Sequence, residues 1–397
     1  MNLRVIVAAF AVACLSGYSQ TNENNFRITG KVTNVPDSAT VCLMRPSGRV
    51  VERLVTDTIH DGSFLLTGSV NEGNNILYLI VDGRGFPSFF SHIVVFPGAE
   101  INITGDGVLF PLWTIDSPSP LQKSIAAMTA SQMPEYEESL RYSIEESDLM
   151  YYIYVDNKGA EDVEKETWKK INALRKKSDP CDSITTAKKL EYMVSAPVDD
   201  IWMYEYQKLV ENLLNNPNMR DAEKIRSLSS RIDDENYASV YGKKIGALLS
   251  IDRKLQKGDK IPAGEFVDAD GNARSLNEFQ GKYILLDFWS AGCGPCVMSF
   301  PEAEEVAAKY SDKLAFVSLN QDEDRIWKEA LSRYKLNGIQ WNGYREEGVM
   351  MFDRLGNGAI PFYVLISPDG VIKETWSGYG KGYLMKKVDN LLGENSK

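Results

Sequence analysis

Apolar and polar residues alternate in short runs over residues 26–115, and turn residues separate these runs at short intervals. This two-residue period is typical of half-buried strands, so the region is predicted to form a sandwich-like all-β domain. His60 adjoins one of the turns, and His92 lies in an aromatic run. No catalytic constellation accompanies them, so both are interpreted as structural residues.

The hydrophobic period becomes helical after Pro118 and Pro120. Apolar residues fall on one helical face in two segments, with Val163, Trp168, Ile171 and Leu174 in the first and Trp202, Tyr206, Leu209 and Leu213 in the second. Asn215-Asn216-Pro217 is expected to end the second helix, because proline cannot continue one. Residues 118–255 are therefore predicted to form a helical region, and their aromatic residues are interpreted as core.

The last region, residues 256–397, alternates apolar strand-like runs with helical segments. Strands are predicted over 283–289, 314–319, 362–366 and 371–376, helices around 300–310, 324–334 and 382–392, and a turn-linked strand pair near 264–272. This order, β-α-β-α-β-β-α, predicts a mixed sheet with helices on both faces. The chain as a whole is thus predicted to be multidomain, with an all-β region, a helical region and an α/β domain in that order.

Composition narrows the choice of function. At 397 residues the chain is long enough for two or three domains, and its 43% hydrophobic and 25% charged residues argue against wholesale disorder. The net charge of −11 and the lack of a basic run argue against binding to nucleic acid. Cys42 and Cys181 fall in different predicted domains and are interpreted as buried small hydrophobic residues, although a bridge between them remains open.

The first twenty residues differ from the rest of the chain. Arg4 precedes a short apolar run, Val5–Ala13, and small and then polar residues follow, which predicts a secretory signal over residues 1–20. Ala11-Val12-Ala13-Cys14 resembles a bacterial lipobox, so cleavage near residues 17–19 and lipidation of Cys14 both remain open. No other apolar run is long enough to span a membrane, so membrane attachment is expected only through lipid on Cys14. The protein is expected in the periplasm, or tethered to a membrane and facing the periplasm.

Cys293-Gly294-Pro295-Cys296 lies between the apolar strand 283–289 and a helical segment. The first cysteine therefore lies at a helix N-terminus, where free backbone N–H groups and the positive end of the helix dipole favour a thiolate. Cys296 follows on the same face, so it can close a disulfide with Cys293. A structural zinc site needs further cysteine or histidine ligands, and none lies near the motif. The spacing favours thiol–disulfide exchange without a metal or a cofactor.

Residues 258–395 resemble a thioredoxin-fold domain of the TlpA-like class, which is related to the alkyl hydroperoxide reductase and thiol-specific antioxidant proteins. The segments that carry this resemblance are Asp268–Gly271, Leu276–Lys282, Leu286–Trp289, the Cys-Gly-Pro-Cys motif, Ile360-Pro361 and Ser367–Gly370. Residues 26–115 more loosely resemble the domain of unassigned function that precedes such domains in exported bacterial proteins. The resemblance implies a periplasmic or membrane-tethered thiol–disulfide oxidoreductase.

The resemblance also implies roles for individual residues. Cys293 matches the attacking cysteine and Cys296 the resolving one, while Asp287 matches a buried carboxylate that assists proton transfer at the resolving cysteine. Pro361 matches a cis-proline that faces the disulfide, and its amide would turn the Ile360 backbone towards an extended substrate. The residues expected to bind substrate are Trp289, Gly294, Pro295 and Ile360.

Three residues depart from the family pattern. Gly292 stands where thioredoxins have tryptophan, Ser299 where many TlpA-like reductases have glutamate, and Ser318 where a lysine partners the buried carboxylate. These changes leave the dithiol intact and bear on its potential, its pH profile and its choice of partner.

Three functions are weighed for the chain. The favoured one is an exported thiol–disulfide oxidoreductase that reduces disulfide-containing extracytoplasmic proteins and receives electrons from an upstream donor in the membrane. A thiol peroxidase is the first alternative, but the Pro-x-x-x-Thr-x-x-Cys approach of peroxidatic cysteines is missing before Cys293. The second alternative is a non-catalytic protein that binds a partner through its first two regions, which the intact cysteine pair argues against.

Overall fold

The computed structural model describes residues 24–157 and 160–393 of the chain. These residues form two compact units. The first comprises residues up to 46, 52–205 and 223–231, and the second comprises residues 47–51, 206–222 and 232 onwards. The predicted secretory signal and Cys14 lie outside the described residues. Within the described ranges, no helix is both long and apolar enough to cross a membrane.

The N-terminal region forms two four-stranded sheets, with strand orders β4-β1-β7-β8 and β3-β2-β5-β6. Their bounds are β1 Phe26–Thr33, β2 Thr40–Ser47, β3 Val50–Thr58, β4 Ser63–Gly68, β5 Asn75–Asp82, β6 Ser91–Val95, β7 Ala99–Asp106 and β8 Thr114–Asp116. In β1, Phe26, Ile28 and Val32 are buried whereas Arg27 and Lys31 are exposed, which is the two-residue period of a strand with one buried face. Inward-facing residues of both sheets join one apolar core. The sandwich-like all-β prediction is confirmed.

A helical region follows, as predicted. Its helices are α1 Pro120–Ser131, α2 Glu135–Tyr151, α3 Glu161–Met193, α4 Asp200–Asn215, α5 Ala222–Ser227, α6 Asp234–Ala238 and α7 Val240–Leu249, with a π-helical turn over Tyr152–Asp156. In α4 the four apolar residues at helical spacing, Trp202, Tyr206, Leu209 and Leu213, are all buried, so the pattern identified the core face of this helix. The helix ends at Asn215, before Pro217.

The C-terminal region forms one seven-stranded mixed sheet of order β10-β9-β13-β12-β11-β14-β15. Its elements are β9 Phe266–Asp268, β10 Ala273–Arg274, β11 Tyr283–Trp289, α8 Gly294–Lys309, β12 Leu314–Asn320, α9 Asp324–Tyr334, β13 Ile339–Asn342, α10 Met351–Leu355, β14 Phe362–Ile366, β15 Ile372–Ser377 and α11 Tyr383–Leu392. The central strand β11 is parallel to β12 and antiparallel to β14. The α/β prediction for this region is confirmed, including the mixed sheet.

Strand β11 is buried on both faces, and its alternation decides which residues face the motif helix. Ile284, Leu286 and Phe288 join the core on one face, whereas Leu285 and Trp289 join clusters that contain residues of α8. Successive side chains of a strand point to opposite faces, so Asp287 shares the α8 face with Leu285 and Trp289.

Two elements of this region were not predicted. Strand β13 and helix α10 are short, Ile339–Asn342 and Met351–Leu355, and neither is long enough to display a hydrophobic period. The motif helix begins at Gly294, directly after Cys293 as the motif predicts, and continues through Pro301. Local pattern therefore identified the long elements and underestimated the number of strands in the sheet.

Candidate active site

The motif residues occupy the turn from β11 into α8. Cys293 is the N-cap of α8, and the Cys296 amide N–H donates to the Cys293 Sγ at 3.1 Å. The two sulfurs are joined in a disulfide, with their Cα atoms 5.2 Å apart. Cys296 is fully buried, whereas Cys293 is partly exposed. Cys293 is therefore the sulfur that an attacking or attacked partner can reach.

The start of α8 supplies the electrostatic setting of Cys293. Gly294 is the first residue of the helix, and the exposed Pro295 follows within the first turn, where its missing N–H removes no helical bond. The N–H groups of the first turn and the helix dipole present positive charge to the N-cap position. This arrangement stabilises a thiolate on Cys293 once the disulfide is reduced.

The segment before β14 lies next to the disulfide. The Ile360–Pro361 peptide bond is cis, and the Ile360 carbonyl oxygen lies 3.7 Å from the Cys293 Sγ. Pro361 is buried, and its carbonyl accepts a hydrogen bond from the Gly378 N–H at 2.8 Å. The structure thus brings Cys293, Cys296, Ile360 and Pro361 together, as the sequence predicted; their roles in exchange stay predictions.

Asp287 is fully buried on the α8 face of β11. Among the described residues, neither of its carboxylate oxygens has a hydrogen-bond partner. Ser318 and Tyr363 are its register neighbours on β12 and β14. Burial without a compensating donor raises the pKa of Asp287 to about 7. A carboxyl group with this pKa can take up or release a proton at neutral pH.

Trp289 does not lie where the predicted substrate-binding role requires. Its side chain is fully buried and packs edge-to-face on Phe300 at 5.1 Å. Cys296 and Trp327 belong to the same apolar cluster. Hydrophobic packing holds this ring inside the domain. Trp289 is therefore part of the apolar cluster that contains Cys296, and it is not presented to a substrate. Of the other three residues expected to bind substrate, Pro295 is exposed and Gly294 and Ile360 are partly exposed.

A second buried carboxylate, Asp322, was missed by sequence reasoning. It follows β12 and accepts hydrogen bonds from the Ser290 hydroxyl at 2.7 Å, from the Ala291 N–H at 2.6 Å and from the Asn320 side-chain amide at 3.2 Å. Burial raises the pKa of Asp322, while these hydrogen bonds act against the rise. Asp322 fixes the segment that leads into Cys293. The signal that would have found it is the polar run Asn320–Asp322 after a fully apolar strand, since parallel strands end at the same sheet edge.

The three departures from the family pattern occupy different surroundings. Ser299 is buried, and its hydroxyl donates to the Cys296 carbonyl at 2.7 Å. Ser318 is buried at the register position opposite Asp287, so it brings no positive charge to that carboxylate. Gly292 is exposed at the turn before Cys293.

Among the described residues, the other histidines and cysteines lie outside this site. Cys42 and Cys181 are both free and buried, which confirms their interpretation as small hydrophobic residues and leaves no bridge between them. His60 adjoins a turn through a backbone bridge to Ser63, and His92 packs edge-to-face on aromatic rings. Within residues 24–157 and 160–393, no group of three or more His, Cys, Asp or Glu side chains is arranged to hold a metal ion.

A mixed sheet, a disulfide at the N-terminus of a helix and a cis-proline beside it together define a thioredoxin-like thiol–disulfide oxidoreductase. Comparisons with known proteins agree. The family described as Redoxin matches residues 256–392. Over 129 residues the chain is 43% identical to thioredoxin 2 of Chlorobaculum tepidum, covering 32% of this chain and 94% of the relative. It is 30% identical to the thiol-disulfide oxidoreductase ResA of Bacillus cereus, covering 32% of this chain and 73% of the relative.

Two solved structures are each similar to about a third of the chain. The thioredoxin domain of a thiol-disulfide oxidoreductase from Bacteroides vulgatus is 27% identical, with a TM-score of 0.31, and the match covers 35% of this chain and 99% of that one. A thiol:disulfide interchange protein from a Bacteroides species is 26% identical, with a TM-score of 0.30 and coverage of 36% and 94%. The family model and the two relatives, and not these structures, show that through residues 256–392 the chain belongs to the redoxin family of thioredoxin-fold thiol–disulfide oxidoreductases.

Proposed function

We propose that this protein is exported and reduces disulfide bonds in extracytoplasmic proteins through Cys293 and Cys296. One observation carries the proposal: the partly exposed Cys293 lies at the N-terminus of α8, in a disulfide with the fully buried Cys296. An accessible attacking sulfur and a shielded resolving sulfur are the two groups that stepwise exchange requires.

The reaction proceeds in two displacements that move two electrons. In the reduced protein, the Cys293 thiolate attacks one sulfur of the substrate disulfide and releases the other as a thiolate, leaving a mixed disulfide. Cys296 then gives up its proton, and its sulfur attacks Cys293 and releases the second substrate thiolate. The substrate disulfide ends as two thiols and the protein dithiol ends as the Cys293–Cys296 disulfide. Asp287, buried on the α8 face with a pKa of about 7, is the group assigned to accept the Cys296 proton.

The direction of the reaction is proposed from the residues between the cysteines. Gly294-Pro295 is similar to the pair in reducing thioredoxins, whose potential is about −270 mV, whereas strong oxidants have potentials of about −120 mV. A protein that acts as a reductant must be re-reduced after each turnover. We therefore expect an upstream electron donor in the membrane, because the proposed location lies outside the cytoplasm.

The export proposal rests on the first twenty residues, where a basic residue, an apolar run and a polar segment follow one another. Mass spectrometry of the N-terminus of protein recovered from cells tests it. We expect processing near residues 17–19 or a lipid adduct on Cys14, and a lipid adduct would also establish the membrane tether. An intact Met1 would contradict export.

The redox proposal is tested by equilibrating the full chain with glutathione and by following its reduction of insulin. We expect a reduction potential near that of reducing thioredoxins and insulin reduction that depends on both cysteines, with the Cys293→Ser, Cys296→Ser double variant as the control. A potential at the oxidising end would reverse the direction while leaving the exchange chemistry in place. Sustained turnover of peroxide, faster than a free thiol achieves, would favour a thiol peroxidase instead.

A further inference from the structure

The segment Ser47–Val51, which contains the turn between β2 and β3, belongs to the second unit, the unit that contains the disulfide, although it lies far from the motif in sequence. Gly48 has a φ of +62°, and a Cβ on it would lie 3.2 Å from the Gln321 carbonyl oxygen. Glycine is thus the residue that fits this approach to the loop after β12. The next two residues, Arg49 and Val50, contact the segments on either side of the disulfide.

Arg49 contacts the segment that leads to the cis-proline. Its guanidinium donates a hydrogen bond to the Gly358 carbonyl at 2.9 Å and lies over the Phe352 ring, 4.9 Å from the ring centroid. Gly358 stands two residues before Ile360, whose carbonyl oxygen lies beside the Cys293 Sγ. A planar guanidinium that is stacked on a ring and hydrogen-bonded at one edge has a defined orientation.

Arg49 also acts on the segment that leads to Cys293. Its positive charge favours the ionised form of the buried Asp322, and so acts against the rise that burial causes in the pKa of Asp322. Asp322 in turn holds Ser290 and Ala291, which stand three and two residues before Cys293. One arginine therefore acts on both backbone segments between which the disulfide lies.

Val50 lies next to Gly292, in the turn that precedes Cys293. A Cβ on Gly292, the residue before Cys293, would lie 3.6 Å from the Val50 Cγ2. The segment Ser47–Val51 therefore borders the position at which thioredoxins carry a tryptophan, directly before Cys293.

We propose that Arg49 is a positioning residue for thiol–disulfide exchange, which holds the Gly358–Pro361 segment in register with Cys293 so that the Ile360 backbone can bind an extended polypeptide. The inference rests on exchange at Cys293 and not on its direction. A polypeptide disulfide needs the Ile360 backbone at a fixed distance from Cys293, because an extended chain binds through main-chain hydrogen bonds. A small disulfide without a peptide backbone needs only the sulfur.

The test compares two substrates of the full chain, insulin and Ellman's reagent, a small aromatic disulfide. In Arg49→Gln, we expect kcat/KM for insulin to fall about tenfold, mainly through KM, while the rate with Ellman's reagent stays within about twofold of wild type, since one charge-assisted hydrogen bond and its orientation are lost. Arg49→Lys keeps the positive charge but lacks the planar guanidinium, so it should give an intermediate loss of kcat/KM for insulin. The equilibrium constant of the dithiol against glutathione should change by less than about twofold.

Arg53→Gln is the matched control, because Arg53 is an exposed arginine on β3, four residues after Arg49, and should leave both rates unchanged. Equal losses on insulin and Ellman's reagent in Arg49→Gln would overturn the proposal, since that result indicates general damage to the domain. Wild-type reduction of insulin by Arg49→Gln would overturn it as well. If Arg49→Gln does not fold, Arg49→Lys decides: a loss confined to insulin supports the proposal, and wild-type kinetics on insulin contradict it.

Discussion

Two buried carboxylates lie near the same disulfide, and their surroundings differ. Asp287 lies in the middle of β11 on the α8 face, and among the described residues its oxygens have no hydrogen-bond partner. Asp322 lies just after β12, where its oxygens accept three hydrogen bonds and the positive charge of Arg49 acts on it. Both side chains are fully buried, so burial alone does not separate them.

The difference shows what decides the role of a buried carboxyl group. Desolvation penalises the charged form of each, and only donors or positive charge offset the penalty. At Asp322 those donors are backbone and side-chain groups next to the motif, so the carboxylate anchors the chain. At Asp287 they are missing within the described residues, and its pKa reaches about 7. The first group is therefore suited to structure, and the second to proton transfer.

The largest expected effect comes from the disulfide itself, next to which both carboxylates lie. In Cys293→Ser no attacking thiolate remains. Insulin reduction should therefore fall to background, a loss on the order of a thousandfold or more, which is the usual cost of removing a nucleophile. Cys296→Ser should instead trap mixed disulfides with substrate, visible by mass spectrometry. Stable adducts through Cys296 in Cys293→Ser would show that Cys296 is the attacking cysteine. The two buried carboxylates would then have to be compared with Cys296 in that role.

The motif could be predicted from the sequence because its determinants are local. An apolar strand, a Gly-Pro step and a helix place Cys293 at a helix N-terminus, and the structure has it as the N-cap of α8. The position of Asp287 also follows from local pattern, since the two-residue period of β11 puts it on the same face as Trp289. The family resemblance, and not spacing, pointed to the cis-proline.

What the sequence did not reveal depends on contacts between distant segments. Asp322 holds Ser290 and Ala291 across the ends of two strands, and Arg49 reaches Gly358 over 309 positions of sequence. No local period encodes such pairs. The prediction that Trp289 binds substrate was wrong for a related reason. An aromatic residue beside a motif is compatible with a surface and with a core, and only the packing against Phe300 decides between them.

The next effect is on stability and is specific to Asp287. The folded pKa of about 7 lies above the ordinary value of 3.8, so the stability from the protonated group is present at low pH and is lost as pH rises through 7. Asp287→Asn does not titrate, so in the oxidised protein its stability relative to wild type should rise by about 4 kcal/mol between pH 4 and pH 8. Urea unfolding of both proteins at a series of pH values measures this difference. The cost of burying the asparagine amide is the same at every pH, so it does not contribute to the change with pH.

Asp389 provides a control of the opposite sign. Hydrogen bonds from Lys309 and Tyr310 hold the pKa of Asp389 below its ordinary value. Its contribution is present above the ordinary pKa and is lost as pH falls, so Asp389→Asn should lose stability relative to wild type as pH rises from the acid range. A flat difference for Asp287→Asn over the same range would show that its carboxyl group is not desolvated, and the contrast with Asp322 would fail.

A smaller effect is expected on the rate of exchange. Asp287→Asn should slow insulin reduction roughly a hundredfold near neutral pH, the lower end of general acid–base contributions, because Cys296 loses the group assigned to accept its proton. Alkylation of Cys293 should change by less than about twofold, which separates the resolving step from the attacking one. Exchange at the wild-type rate from about pH 6 to about pH 9 would make Asp287 a structural residue only.

The smallest expected effect is that of Asp322→Asn, which tests the other half of the comparison. The side chain of asparagine has one acceptor oxygen where that of aspartate has two. Either the Ser290 hydroxyl or the Ala291 N–H therefore loses the oxygen to which it donates. We expect a loss of about 2 kcal/mol in the free energy of unfolding, the typical cost of leaving one buried donor unsatisfied. The pH dependence of exchange should keep its wild-type shape, because Asp322 anchors the chain and moves no proton. Exchange kinetics over the same pH range as for Asp287→Asn measure this pH dependence. If Asp322→Asn changed the dependence near neutral pH, Asp322 would also be a group that transfers a proton.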